Sequence, residues 1–369
     1  MNINSPTTPR ERLSKTWVTL VTNPSYVAGL LTLHRTLSSL SDYPLLVMTT
    51  PGLPESYQAL LQSVGLDLVS VSHISPSPSQ HPGFDPAFVR LNDTWTKLQV
   101  FGLTEYEKVI LIDADMIFLK EMDELFDLEL PGKDWIGAVP ACVCNPLGWA
   151  HYPRDWQVIP ANCSLSLQQS STPLLSPRIP SLTDPRTAHL LNAGLVVLYP
   201  SRDLLNLLIH FIETSPTIAH TQFPDQDVMA EVFKGRWRPL PWWCNALKTL
   251  RAAHKDLWKD EQVRIIHYIL DKPWSYRPSS LPPYNPALPI TPTSTNVHDT
   301  FVTAKGRMGK SRRPLPSGLV EAVRNTPRQE SLTDYSEAHK WWWIVYEDLL
   351  DEWKRNGLDW EMVDQWVKR

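Results

Sequence analysis

Residues 108–119 read KVILIDADMIFL, and the fold is decided by how this stretch is read. Val109, Ile110, Leu111 and Ile112 make a short unbroken apolar run rich in β-branched side chains, the mark of a strand covered on both faces of a sheet. Two carboxylates follow at once, Asp113 and Asp115, separated by Ala114. In an extended chain, residues two apart project to the same side, so both acids can reach one ligand just beyond the strand. Like charges that close are unfavourable unless a cation lies between them. The stretch therefore points to an oxygen-ligand site for Mg²⁺ or Mn²⁺ that also gathers the phosphates of a substrate. The competing reading is a solvated turn with two acids. Position favours a site, because open α/β sheets bind ligands outside the carboxyl ends of their strands.

Upstream, residues 17–22 (WVTLVT) read as a first strand, and Asn23 and Pro24 start a helix as N-cap and first residue. That helix shows one apolar face through Tyr26, Leu30, Leu33 and Leu37. Residues 45–49 make a second strand, 55–64 a helix and 66–71 a third strand. Strands alternating with helices in this way build parallel βαβ units with right-handed crossovers. The first strand-to-helix turn, TNPSY, has no glycine-rich loop, which disfavours a dinucleotide or P-loop site. A proline-rich loop at 73–87 leads to an expected helix at 88–103, carrying Arg90 and Lys97.

Downstream, a short helix is expected at 121–128 and a strand at 135–139. Residues 141–188 lose periodicity and fill with Pro, Ser, Cys and Trp, as a functional or mobile insertion does. Order returns with a strand at 190–199, a helix at 202–214, a helix opening at Pro224 and stopping at Gly235, and a strand at 263–269. Residues 277–334 read as a Pro-rich and then basic linker, and 335–369 recover helical spacing in a Trp-rich segment. Domain limits are thus expected as a polar tail at 1–15, a catalytic domain at 16–276, the linker and the C-terminal helices. Those helices are expected to fold back on the catalytic domain, with a membrane-surface or partner-binding role as the minor reading.

With 369 residues the chain can bury a sizeable core, and a net charge of -4 with interspersed signs excludes a general nucleic-acid binder. The polar N-terminus, MNINSPTTPRERLSK, lacks the apolar segment of a signal peptide, and no run is long enough for a membrane span. Cys142 and Cys144 form C-x-C with no second pair at zinc-like spacing, so the 4 cysteines read as reduced thiols of a cytosolic protein. The 16 tryptophans mean an aromatic core or a surface that stacks on sugars; for Trp242 and Trp243 core is the expectation.

Five stretches, TLVTNPSYVAGLLTLHRTL, DTWTKLQVFGLTEYEKVILIDADMIFLKEMDELF, LNAGLVVL, PDQDVMAEVF and HYILDKPW, together resemble, in order, the motifs of glycosyltransferase family 8. That family includes glycogenin and plant galactinol synthase, and the chain looks nearest to fungal galactinol-synthase-like members. The resemblance covers about residues 16–276. It implies an α/β fold of the GT-A nucleotide-diphospho-sugar transferase type, a Rossmann-like mixed sheet flanked by helices, here with a C-terminal helical extension. It also implies a UDP-sugar donor, Mn²⁺ (Mg²⁺ the alternative), and transfer with retention to a small polyol, sugar or glycan acceptor, with myo-inositol first.

Residue by residue, the resemblance gives Leu20, Thr22 and Tyr26 the uracil, and Asp113, Asp115 and His267 the metal. It puts Arg90 and Lys97 near the donor, Asn192 on the donor sugar, Asp225 and Gln226 beside the sugar ring, and Lys272 on the diphosphate. Each has a plainer reading: His267 as a core histidine, Asn192 as a strand-end cap, Asp225 as a helix N-cap, Lys97 as an exposed helix lysine. One departure stands out. From His267 to Lys272 the chain is one residue shorter than in glycogenin or plant galactinol synthase, and Ile269 and Leu270 stand where that pattern has a glycine. Two rivals follow: a self-glucosylating protein like glycogenin, and a catalytically silent UDP-sugar-binding scaffold. Homodimerisation through the tail is left open.

Overall fold

The computed structural model describes residues 13–84, 91–156, 162–284 and 312–369. Its strands are β1 (Leu13–Val21), β2 (Leu45–Thr49), β3 (Asp67–Ser70), β4 (Tyr106–Ile112), β5 (Met116–Phe118), β6 (Ile136–Pro140), β7 (Leu191–Leu198), β8 (Trp237–Pro239), β9 (Ala246–Leu247) and β10 (Ile265–His267). The helices are α1 (Val27–Leu40), α2 (Glu55–Ser63), α3 (Arg202–Thr214), α4 (Pro224–Val232), α5 (Leu250–Ala253), α6 (Leu319–Arg324), α7 (Ser336–Arg355) and α8 (Glu361–Asp364). They divide between two compact units. The first falls within Met1–Asn23, Tyr43–Asp113 and Asp123–Asn245, the second within Pro24–Asp42, Ala114–Met122 and Ala246–Arg369.

The first unit holds a seven-stranded mixed sheet in the order β3-β2-β1-β4-β7-β6-β8. β1 pairs in parallel with β2 and β4, and β2 with β3, as the βαβ pattern requires. β7 alone runs antiparallel to both its neighbours, β4 and β6. This reversal brings the first residues of β7 to the carboxyl end of β4. The Asp113 amide accordingly donates to the Gly194 carbonyl at 3.0 Å. Val109 to Ile112 are 0% exposed, which bears out the two-sided burial read from their sequence.

The second unit holds a three-stranded sheet in the order β5-β10-β9. β10 is antiparallel to β5, with His267 opposite Met116, and parallel to β9. α1 packs on β5 and α7, and α7 also packs on α6 and on the turn Pro273–Ser275. The tryptophans of α7 explain this. Trp341, Trp342 and Trp343 are buried, Trp342 stacks on Tyr346 at 4.8 Å, and Trp343 Nε1 donates to the Pro273 carbonyl at 2.9 Å. The C-terminal segment is therefore core of this unit. α6 lies inside the stretch expected as a linker.

Three local expectations change. The helix expected from Pro24 begins as one 3-10 turn at Pro24–Tyr26, and Tyr26 rather than Asn23 takes the N-cap place of α1. Of the helix expected at 88–103, residues 88–90 lie outside the described residues, and the described part forms a 3-10 helix at Thr94–Gly102. With three residues per turn, Trp95, Leu98 and Phe101 fall on one line, and all three are buried. After β4 the chain bends at Ala114 and Asp115 instead of staying extended.

Candidate active site

In the first unit, the sheet's carboxyl edge gathers three charges. Lys97, from the 3-10 helix, reaches Asp113 Oδ1 at 2.7 Å and Asp225 Oδ2, in the first turn of α4, at 2.9 Å. Burial opposes the Lys97 charge, but the two carboxylates outweigh it and raise its pKa above the ordinary lysine value. Beside them lies an amide chain. Asn192 Nδ2 donates to Gln226 Oε1 at 3.3 Å, and Asn192 Oδ1 accepts from Asn245 Nδ2 at 2.7 Å and from the Gly194 amide at 3.0 Å. These bonds fix which face of each amide is presented. Thr22 Oγ1, just past β1, donates to Asp93 Oδ2 at 2.7 Å, and Leu20 lies on β1 opposite Met48.

In the second unit, Asp115 is buried between a lysine and a histidine. His267 Nε2 lies 3.3 Å from Asp115 Oδ1, and Lys272 Nζ donates to Asp115 Oδ2 and to the Tyr268 carbonyl. Burial works against the ionised Asp115, yet the Lys272 ammonium and His267 hold its carboxyl well below the usual carboxylate range. The Tyr268 amide donates to the Asp115 carbonyl at 2.9 Å, which locks the acid to the end of β10. Tyr26 sits edge-on to Trp274 with ring centres 5.5 Å apart, and Lys272 Nζ lies 5.8 Å from the Tyr26 ring centre.

A carboxylate and an imidazole converging in one buried place, with a second carboxylate two residues earlier in the chain, is a donor set for a six-coordinate divalent cation. The lysine beside it suits a phosphate.

The profile of glycosyl transferase family 8 matches residues 18–277. The chain belongs to this family. It is 28% identical over 260 residues to galactinol synthase 1 of Solanum lycopersicum, covering 70% of this chain and 72% of that protein. It is 27% identical over 275 residues to galactinol synthase 6 of Arabidopsis thaliana, covering 73% and 76%. A solved galactosyltransferase, LgtC with donor and acceptor sugar analogues, superposes with a TM-score of 0.45 at 17% identity, covering 71% of this chain and 89% of that one. The two relatives are plant proteins, so the fungal likeness stands only as an expectation from sequence.

The chain is thus a retaining, UDP-sugar-dependent glycosyltransferase of family 8 on a mixed α/β sheet of the GT-A type. Among the residues the family pattern picks out, Lys97, Asp113 and Asp225 come together, as do Asn192 and Gln226, and Asp115, His267 and Lys272. Arg90 lies outside the described residues. Asp225 is not the helix N-cap of the plainer reading: Phe223 takes that position without a side-chain cap, and Asp227, inside the helix, reaches back to accept from the Gln222 and Phe223 amides at 3.0 Å each.

Sequence reasoning missed Asn245, fully buried and bonded to Asn192, and Asp93, which holds Thr22. It also missed Lys248, which donates to Asp271 Oδ1 at 2.8 Å and lies 2.8 Å from His339 Nε2 beneath the Lys272 loop. Asn245 had one signal, its place at the end of the WWCN stretch; Lys248 had none. Trp242 and Trp243 are core, as expected, and their Nε1 atoms donate to the Ser170 and Thr172 carbonyls at 3.1 and 2.8 Å. They pin the insertion to the sheet.

The same unit contains a cavity of about 300 Å³ lined by Pro153, Trp156, Arg186, Gln222, Phe223 and Asp227 among others. Trp156 stacks on Phe223 with an interplanar angle of 3°, and Trp156 Nε1 is buried with no hydrogen-bond partner among the described residues.

Proposed function

We propose that the chain transfers a hexose, galactose or glucose, from its UDP donor to a small polyol, with Mn²⁺ held by Asp113, Asp115 and His267. The observation that carries this is the buried Asp115 with His267 on one carboxylate oxygen and Lys272 on the other. Such a carboxylate stays ionised and oriented, and its set of oxygen and imidazole donors suits Mn²⁺. When bound, the ion supplies positive charge against the diphosphate of the leaving UDP.

The protein's own groups do the rest. Lys272 neutralises the diphosphate. Lys97 holds Asp225 by the sugar ring, where its carboxylate supports positive charge building at the anomeric carbon. Asn192 and Gln226 share a hydrogen bond and present their remaining amide positions to the sugar hydroxyls. Leu20, Thr22 and Tyr26 take the uracil; Arg90, outside the described residues, is assigned to the donor by the family pattern alone. Retention requires the acceptor hydroxyl to arrive on the face that UDP leaves, with the leaving phosphate taking its proton.

The acceptor reading rests on the aromatic cavity. Asp227 on its wall directly follows Asp225 and Gln226 in α4, and the insertion supplies Trp156 and Arg186. A stacked aromatic pair beside an arginine, a glutamine and an unpartnered indole N–H fits a hydroxyl-rich ring such as a cyclitol. myo-Inositol is the first acceptor to test, and the cytosol is the compartment proposed. Among the described residues no helix is long and apolar enough to cross a membrane.

The test is UDP release by purified protein, with UDP-galactose and UDP-glucose in parallel, with myo-inositol, and with Mn²⁺ or EDTA. Metal-dependent release that names one donor and disappears in Asp115→Asn supports the reading. Hexose added to the protein's own mass would instead support self-glucosylation. Absence of metal-dependent UDP binding by calorimetry would sink the site assignment.

A further inference from the structure

Cys142 and Cys144 leave the end of β6 on either side of Val143, which is fully buried. Alternate residues of a near-extended chain face one way, so burying Val143 turns both thiols to the other side. There the structure brings a third, Cys163, from the residue preceding the short 3-10 helix Ser164–Leu167. The three Sγ atoms lie within 4.8 Å of one another, and Cys144 and Cys163 are buried. No disulfide joins them. The sequence shows only a C-x-C, because the third member arrives across a stretch of the insertion that carries no spacing signal.

We propose that Cys142, Cys144 and Cys163 form a thiolate site for zinc, which staples the 141–188 insertion to the sheet. Three sulfurs converging in a buried place are a soft donor set of the kind zinc selects. In a tetrahedral zinc–thiolate centre, bonds of about 2.3 Å put sulfurs about 3.8 Å apart, inside the 4.8 Å within which these three atoms lie. Zinc entry displaces the three thiol protons to solvent and leaves one net negative charge over three sulfurs, with the fourth position for a neutral donor. Without metal, the Cys142 thiol is the donor toward Cys144 and Cys163, and these hydrogen bonds together with burial push it well above its ordinary value. This site is chemically distinct from the oxygen–imidazole set around Asp115, which suits a harder ion.

The site has a mechanical consequence. Cys142 and Cys144 sit at the start of the insertion and Cys163 in its middle, so one ion closes the segment between them. Closing such a loop restricts the unfolded chain as a disulfide would.

The test uses full-length protein expressed with zinc and purified without chelator or immobilised metal. Elemental analysis should find close to one zinc per chain. It should remain in Asp115→Asn and fall at least fivefold in Cys142→Ser/Cys144→Ser. Replacement by Co²⁺ should give a thiolate-to-cobalt charge-transfer band, and mercurial titration should release the zinc and speed proteolysis within 141–188. Less than about a tenth of a zinc per chain with no cobalt band in the unmutated protein would overturn the proposal, even if the serine variant fails to fold. So would a disulfide among the three cysteines in the intact protein.

Discussion

Lys97 Nζ lies 2.7 Å from Asp113 Oδ1, so the acid that ends the central strand is already half-neutralised by the protein itself. Asp225 takes the other side of the same ammonium at 2.9 Å. Replacing Lys97 by Met leaves two carboxylates facing each other with no counter-charge. Removing one partner of a buried ion pair costs about 3 kcal/mol. We expect Lys97→Met to lower stability by roughly that amount and sugar transfer by at least tenfold. Denaturant midpoints and UDP release measure the two effects; unchanged turnover would detach Lys97 from the site.

Asp115 gives an acid-side signature. Its folded-state pKa lies below the ordinary 3.8, so its ion pairs stabilise the fold above that value, and the stabilisation is lost as pH falls. Asp115→Asn should therefore be less stable than the parent at pH 7, with the gap closing as pH falls below about 4. Thermal melts across that range check the sign.

Asp227 works the other way. Burial pushes its carboxyl up to about 6, against the pull of the Phe223 and Gln222 amides. The folded state thus holds a proton that the unfolded chain releases near 3.8, so this group's contribution is full below 3.8 and is lost as pH rises through about 6. Asp227→Asn keeps an acceptor for the two amides and removes the charge. Its stability relative to the parent should improve by about 2 kcal/mol on going from pH 4 to pH 7. A flat difference would contradict the buried-carboxyl assignment.

Leu270 is the one non-glycine residue with positive φ among those described, at 65°. It occupies the turn in which the family pattern has a glycine. A left-handed conformation costs an L-residue about 1–2 kcal/mol, partly offset because glycine loses more freedom on folding. Leu270→Gly should raise stability by about 0.5–1 kcal/mol. A Tm that falls instead would mean the leucine side chain holds the loop.

Gly29 is the tightest approach in α1. A Cβ there would meet the Ala114 carbonyl oxygen at 2.7 Å and the Trp274 ring at 2.7 Å. Ala114 links the two acids, so Gly29→Ala cannot be absorbed by a flexible side chain. We expect a stability loss of about 1–3 kcal/mol together with weaker metal-dependent UDP binding, read by calorimetry. Loss of stability without weaker binding would show that the Ala114 bend relaxes independently.

The sequence by itself determined the parallel βαβ start, the buried central strand and the family, because these depend on local periodicity and on motifs in a fixed order. Asp113, Asp115, His267, Lys272, Asp225 and Gln226 were singled out as candidates for the same reason. Only the tertiary structure decided what each of them touches. The antiparallel β7, which carries Asn192 back to the carboxyl edge of β4, is a choice of strand direction that apolar runs do not encode. Lys97 on a 3-10 turn beside Asp225, Asn245 behind Asn192, and Cys163 beside the C-x-C are contacts between residues far apart in the chain. Such contacts arise from burying surfaces against each other, and the pattern along the chain records which surfaces are apolar but not which of them meet.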